Sequence, residues 1–354
     1  MHSRSGQSNS IANRDINPSD RLVTAYPDLT CLLRNNPIAE AFAGFEKSAI
    51  RWKHIYMFFG RLSLIAVLLA MISYDYQITL KNIYGLPAYG PSLAAAFAAM
   101  GLFSQALLGL TRAKDRWLAN RFAAERLRCF KFQLFTVLEE VSDAEGLSSK
   151  VKQRTGEGLA ALEQELMGGR SAILEFSPFD VLPPPKKKLA HTSRKLLDDA
   201  ATVYDILRFS VESQHFDECF RDHDRRTKFP SFLSELSFMS GAVLACVGIL
   251  AALLPVEWAL SQYLKAPVVM EWVNFLTWML FVLSAVVAIY ERGSANQQNA
   301  ERYVNFGREV RRIKTSATTQ MPASFYEAVR EMEHLMLREI QDFCRDVKHS
   351  NYIF

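Results

Sequence analysis

The residues best spaced for chemistry are His215, Cys219 and His223, with Asp222 beside them. A four-residue spacing puts neighbours on one face of a helix, an arrangement that can hold zinc. Along a straight helix, however, His215 and His223 stand about 12 Å apart, too far for both to ligate one ion at about 2 Å. An adjacent pair would need ligands from elsewhere, so no metal is expected. Lys186, Lys187 and Lys188 form a basic run suited to a solvated loop or to anionic lipid. The sequence has no Gly-rich phosphate loop, no G-x-S-x-G elbow and no H-E-x-x-H pair. His54 and His334 have no readable nucleophile partner. The pattern predicts neither an enzyme nor a bound cofactor.

The elements that carry these residues are dominated by four apolar stretches, 55–74, 92–110, 236–254 and 272–290. Each has about 20 residues, enough at about 1.5 Å per residue to cross a hydrocarbon core of about 30 Å. They come as two similar pairs, each followed by a charged amphipathic segment. The expected fold is all-α: a helical integral membrane protein with four transmembrane helices in two hairpins, plus long cytoplasmic helices.

The formal charge of +4 is small for a nucleic-acid binder, and no nucleic acid is expected as a partner. The five cysteines are odd in number and lack a Cys-x-x-Cys pair, which argues against a disulfide framework and for thiols in a reducing compartment. Placement of charge sets the topology. Arg51 and Lys53 precede the first stretch, Arg112, Lys114, Arg116 and Arg121 follow the second, Arg221, Arg225, Arg226 and Lys228 precede the third, and Arg292 follows the fourth. The connecting loops, 75–91 and 255–271, hold only Lys81 and Lys265. By the positive-inside rule both termini are cytoplasmic and the loops face outward across the inner membrane. Trp52, Trp258 and Trp272 fall near the expected interfaces.

Aligning Ala124-Glu125-Arg126 with Ala300-Glu301-Arg302 brings the two hairpins into register, and Asn120, Phe130 and Leu134 then meet Asn296, Phe306 and Val310. This layout predicts a disordered tail at 1–35, a first two-span repeat at 36–167, a Pro/Lys linker at 168–188, a second repeat at 189–348 and a short tail at 349–354. After the second stretch, 112–141 lacks Pro and Gly, and Leu118, Phe122, Leu127, Phe130, Leu134, Leu138 and Val141 form a stripe. That predicts a helix reaching about 45 Å beyond the span, with a partner for its stripe in 189–226, in 322–348 or in another copy.

In lipid, helices associate through small residues and polar contacts. Gly101 and Gly109 in the second stretch, and Gly241 and Gly248 in the third, mark candidate packing faces. Arg61, Gln105 and Asn274 are the candidate intramembrane polar groups. Arg61 can snorkel to the inner headgroups or line a water-filled path; Gln105 and Asn274 can bond across helices or line a conduit.

The unit resembles the SLATT domain, a two-transmembrane effector domain of bacteria associated with SMODS and SLOG proteins. The resemblance rests on layout, on Tyr204-x-x-x-Arg208 followed by Gln214 and Phe216 before the second hairpin, and on Ala124-Glu125-Arg126 and Ala300-Glu301-Arg302 after the hairpins. It covers 36–167 and 189–348. The first repeat departs from it, having Tyr26 and Arg34 at a different spacing. The resemblance implies a homo-oligomeric inner-membrane effector that permeabilises the bilayer when activated, in a nucleotide-linked conflict or antiphage system with a nucleotide-signalling partner protein. The alternative reading is a non-conducting membrane-anchored scaffold whose helical stripes recruit cytoplasmic partners.

Overall fold

The computed structural model describes residues 13–85, 90–167, 193–253, 266–294, 296–319 and 323–349. Among them every regular element is helical and no strand occurs. The helices are α1 (Asp20–Ala25), α2 (Thr30–Leu33), α3 (Asn36–Tyr84), α4 (Gly90–Thr111), α5 (Ala113–Gln133), α6 (Ala144–Met167), α7 (Arg194–Tyr204), α8 (Ser210–Leu253), α9 (Ala266–Ser294), α10 (Asn296–Thr319) and α11 (Ala323–His349). A 3₁₀ segment, Leu134–Glu140, follows α5, and a π-helical turn, Asp205–Phe209, joins α7 to α8.

The chain forms two compact units. The first, here the body, takes Met1–Trp52, Asp115–Asp222 and Gln298–Lys348; the second takes Lys53–Lys114, His223–Gln297 and His349–Phe354. This packing cuts across the expected division at 36–167 and 189–348, since each of those stretches gives residues to both units. The linker at 168–188 lies outside the described residues.

Among the described residues four helical segments are long and apolar enough to cross a membrane, and their apolar stretches fall in the second unit. Little of each apolar window is buried within the chain, and large side chains such as Leu102, Phe103, Leu110 and Trp278 are exposed. A helix apolar on all sides suits a hydrocarbon surround. Lead-in and span are not separate elements. The first apolar stretch is the interior of the 49-residue α3, and the third is the end of the 44-residue α8, which runs through Pro230.

The expected loop at 75–91 begins later than its charge pattern suggests. Helix α3 continues to Tyr84 and stops at Gly85, whose φ of 63° is the left-handed conformation that glycine adopts without a Cβ clash. The Gly85 N–H closes the helix end on the Lys81 carbonyl at 3.0 Å. Of the second loop, 266–271 is already helix, and 254–265, with Trp258, lies outside the described residues.

The expected unbroken helix over 112–141 is also corrected. Arg112 takes a φ of 47° between α4 and α5, and the α-helix gives way to 3₁₀ after Gln133. Neither Pro nor Gly marks these breaks.

The largest correction concerns the tail at 1–35. Residues 1–12 lie outside the described residues, but 13–35 are ordered in the body. Ile16, Leu29, Leu32 and Leu33 are all at most 2% exposed and belong to its apolar core. The polar composition of this stretch hid four large aliphatic groups that, once buried, offset the entropy of ordering it.

Candidate functional site

The stripe of 112–141, on α5 and the 3₁₀ segment after it, is covered from within the chain. Leu127, Leu134, Leu138 and Val141 pack with Leu196, Leu197 and Val203 of α7, and with Val329, Met332 and Met336 of α11. Phe130 is only half-buried, and its ring lies where a Cβ on Gly158 would come within 2.1 Å, so a larger residue on α6 would displace the ring. The inward position falls instead to Lys131, 1% exposed.

This apolar body encloses a network of ionic side chains. At its centre is Glu333 of α11, 0% exposed. Tyr204 donates its hydroxyl to Glu333 Oε1 at 2.7 Å; Arg208 donates from Nε to Oε1 at 2.9 Å and from Nη2 to Oε2 at 2.7 Å. The remaining arm of Arg208 donates to Glu212 Oε1 at 2.6 Å, and the guanidinium lies 4.7 Å from the Phe132 ring centroid. The π turn makes this possible. It buries Leu207, Arg208 and Phe209 in succession, which a regular amphipathic helix turn does not. Burial opposes the charge on Arg208, but Glu333 and Glu212 beside it hold its pKa well above the usual range. Burial raises the Glu333 carboxyl against the pull of Arg208 and Tyr204.

A second cluster fastens the N-terminal segment. Lys131 Nζ donates to the carbonyls of Asp15, Ile16 and Leu33 at 2.8, 2.7 and 3.2 Å. Burial pulls its amine down to about 8, with Asp15 opposing. Arg128 meets Asp15 at 3.0 Å and Glu125 at 3.0 Å, and Glu125 meets Arg121 at 2.6 Å. Burial would raise the Glu125 carboxyl, but Arg121 and Arg128 override it and bring it to about 2. Arg330 reaches Glu139 at 2.6 Å.

A third cluster joins α10 to α11. Arg302 is 3.4 Å from Glu339 and 3.2 Å from Asp346, between the rings of Tyr303 and Phe343. Burial pushes Glu339 up to about 7, Arg302 offsetting it in part.

The family-like positions are thus treated differently by the fold. Tyr204, Arg208 and Glu125 lie in the network, and Phe216 packs on Tyr303 and Phe306. Gln214 is exposed and bonds to Glu218 on its own helix. Arg302 is buried whereas Arg126 is half-exposed, and Glu301 is exposed although Glu125 turns inward. His215 sits 3.5 Å from Cys219, whose thiol burial and Asp222 push up to about 12.

In the second unit, Gln105 donates to Ser63 Oγ at 2.9 Å across α3 and α4. A Cβ on Gly101 would touch Val67 at 3.4 Å, and one on Gly241 would touch Leu280 at 3.3 Å. Gly109 has nothing within 4 Å, and the surroundings of Gly248 lie outside the described residues. Arg61 and Asn274 are exposed. Ser234 and Ser284 each donate to the other's carbonyl, at 3.3 and 3.1 Å, joining α8 to α9. Tyr76 lies 6.3 Å from Trp272 and 6.0 Å from Phe275, between α3 and α9.

Sequence reading does not single out Glu333, Glu212, Lys131 or Asp15. One signal was present: Glu333 occupies a core position in the α11 series Val329, Met332, Met336 and Ile340. A charge on an apolar stripe is a buried ion pair waiting for its partner. No family model, curated protein or solved structure matches the chain.

Proposed function

We propose that this chain is a homo-oligomeric inner-membrane effector. Activated by a nucleotide-linked partner, it permeabilises the bilayer in a bacterial conflict or antiphage system. The observation that carries the reading is the convergence of Tyr204 and Arg208, two of the residues behind the SLATT resemblance, on the buried Glu333. Buried ionic clusters of this kind discriminate sharply between correct and incorrect packing, since separating the partners strands a charge away from water. They therefore suit a body with two discrete arrangements. The residues of α3 and α8 belong to both units, so a rearrangement inside the body has a covalent route to the apolar helices. A ligand or partner shifts the population by binding one arrangement better. In this reading both termini are cytoplasmic, there is no catalytic step, and Arg61 and Asn274 serve contacts outside the single chain.

The scaffold alternative drew on the stripes of 112–141 and 322–348 as docking surfaces. Those stripes are largely covered inside the body, which weakens it. Dye and ion flux from liposomes carrying the purified protein tests the effector reading, with cyclic nucleotides and ADP-ribose-type nucleotides as probes. Flux gated by one nucleotide supports it. Silence from correctly inserted protein across the panel refutes it and favours the scaffold.

A further inference from the structure

Arg61 lies in the apolar part of α3, six residues after Ile55. It is exposed, and among the described residues no hydrogen bond, ion pair or ring contact engages it. His54, also exposed and similarly unengaged, precedes it by seven residues, which places both on one helix face about 10 Å apart along the axis. Met57, Phe58, Leu62 and Ile65 line with them an open depression of about 340 Å³ on this helix face. Phe58 and Ile65 are 61% and 53% exposed, so its apolar wall is open.

We infer that this depression binds an anionic glycerophospholipid, with its phosphate between His54 and Arg61 and an acyl chain along Phe58, Leu62 and Ile65. The inference rests on α3 being a membrane span. A guanidinium set into a lipid-facing surface requires a counter-charge or water at that depth. Arg61 is long enough to reach the inner headgroups, and a guanidinium matches phosphate through paired N–H donors. His54 lies on the headgroup side of Arg61 and adds a second nitrogen donor. Leu62 and Ile65 continue on the other side, toward the middle of the apolar stretch, where an acyl chain belongs. The exposed Glu235 of a second copy is the competing occupant. It supplies a carboxylate but no extended apolar segment to fill the wall.

The test is native mass spectrometry of the full chain in detergent with equal amounts of phosphatidylglycerol and phosphatidylcholine. Wild type retains phosphatidylglycerol preferentially. Arg61→Ala lowers the phosphatidylglycerol-to-phosphatidylcholine adduct ratio about tenfold, the scale of one charge-assisted contact, and His54→Ala lowers it less. Lys81→Ala, at the opposite end of α3, leaves it unchanged. An unaltered ratio in Arg61→Ala overturns the proposal. So does loss of the preference in 10 mM inorganic phosphate, which marks a free-anion site. Dissociation of oligomers by both Arg61→Ala and Glu235→Ala, with the lipid ratio unmoved, assigns Arg61 to a contact between copies instead. Flotation with phosphatidylcholine vesicles separates the failures: a chain that does not float refutes the span itself, whereas one that floats without lipid preference refutes only the site.

Discussion

Replacing Arg208 by Met removes three donors and one positive charge from the centre of the body while keeping an unbranched, largely apolar side chain. Glu333, 0% exposed, keeps the Tyr204 hydroxyl but loses both guanidinium bonds, and Glu212, 6% exposed, loses its 2.6 Å partner. Removing one member of a buried pair costs about 3–5 kcal/mol. At about 1.4 kcal/mol per tenfold, that raises the frequency of local opening roughly 100- to 4,000-fold. The assay is hydrogen exchange of the full chain in detergent, read on α11 peptides between Phe325 and Ile340. The penalty carries its own pH signature. Burial already raises the Glu333 carboxyl, and losing Arg208 removes the largest influence that lowers it. A folded-state pKa above the unfolded value makes the stability contribution full below the unfolded pKa and lost as pH rises through the folded one. The penalty of Arg208→Met is therefore smaller at pH 5 than at pH 8, after correction for intrinsic exchange. Exchange accelerated less than tenfold, or a penalty equal at both pH values, refutes the claim that this ion pair closes the body. Pairing Arg208→Met with Glu333→Leu tests coupling directly, because a double loss smaller than the sum of the singles is what a shared interaction requires.

Lys131→Met leaves three buried carbonyls without their donor; each charge-assisted bond is worth about 1.5–3 kcal/mol, so tryptic cleavage at Arg21 should accelerate at least tenfold, and an unchanged rate would show the N-terminal segment is held by its apolar residues alone. Gly101→Leu forces new atoms against Val67 and Ala66, costing about 1–3 kcal/mol, whereas Gly109→Leu, with open space, stays within about 0.5 kcal/mol; equal thermal shifts for the two in detergent would refute the α3–α4 contact. With Glu339 at about 7 against an ordinary 4.5, the body loses stability as pH rises from about 4.5 through 7, and Glu339→Gln flattens that slope; a slope unchanged in the variant assigns it elsewhere. Lys131, brought down from 10.5 to about 8, works in a different window: its contribution is present above 10.5 and lost as pH falls through 8, so Lys131→Met removes the rise in stability between about 8 and 10.5.

The apolar helices were legible because lipid-compatible length and composition leave a dense signal in the sequence, and 55–74, 92–110, 236–254 and 272–290 all fall largely within helices the structure draws. Their ends were less legible. Asp75, Tyr76 and Lys81 read as loop by polarity, yet α3 runs on to Tyr84, and the physical stop is Gly85. Arg112 gave no warning of its positive φ, since nothing in its side chain demands that conformation. The ionic network was hidden for another reason. Periodicity assigns a charged residue to the outer face by default, so the α5 stripe was drawn through Phe130, whereas the fold turns Lys131 inward because three backbone carbonyls await its amine. Polar satisfaction is a property of the partner segment, here 13–33, and no pattern on α5 alone contains it.

Those inward charges also resolve an ambiguity that apolar packing would leave open. With Ala124 aligned on Ala300, α5 and α10 present similar apolar positions, and a body built only from them would place either helix beside the N-terminal segment at similar cost. The charged positions break the equivalence. Lys131 falls opposite Gly307, and Arg128 falls opposite Val304. Phe216 fills the Gly307 site so closely that an added Cβ would meet it at 3.4 Å. Exchanging the helices would strand Lys131 and Arg128 away from Asp15 and leave Glu333 facing a helix without the Phe132 ring that covers Arg208. Each such stranded charge costs several kcal/mol, more than a rearranged apolar contact recovers. Buried ion pairs are weak contributors to absolute stability, but here they specify which of two similar helices meets the N-terminal segment and covers Arg208. That is the property a body needs if its packing is to have discrete alternatives rather than a continuum.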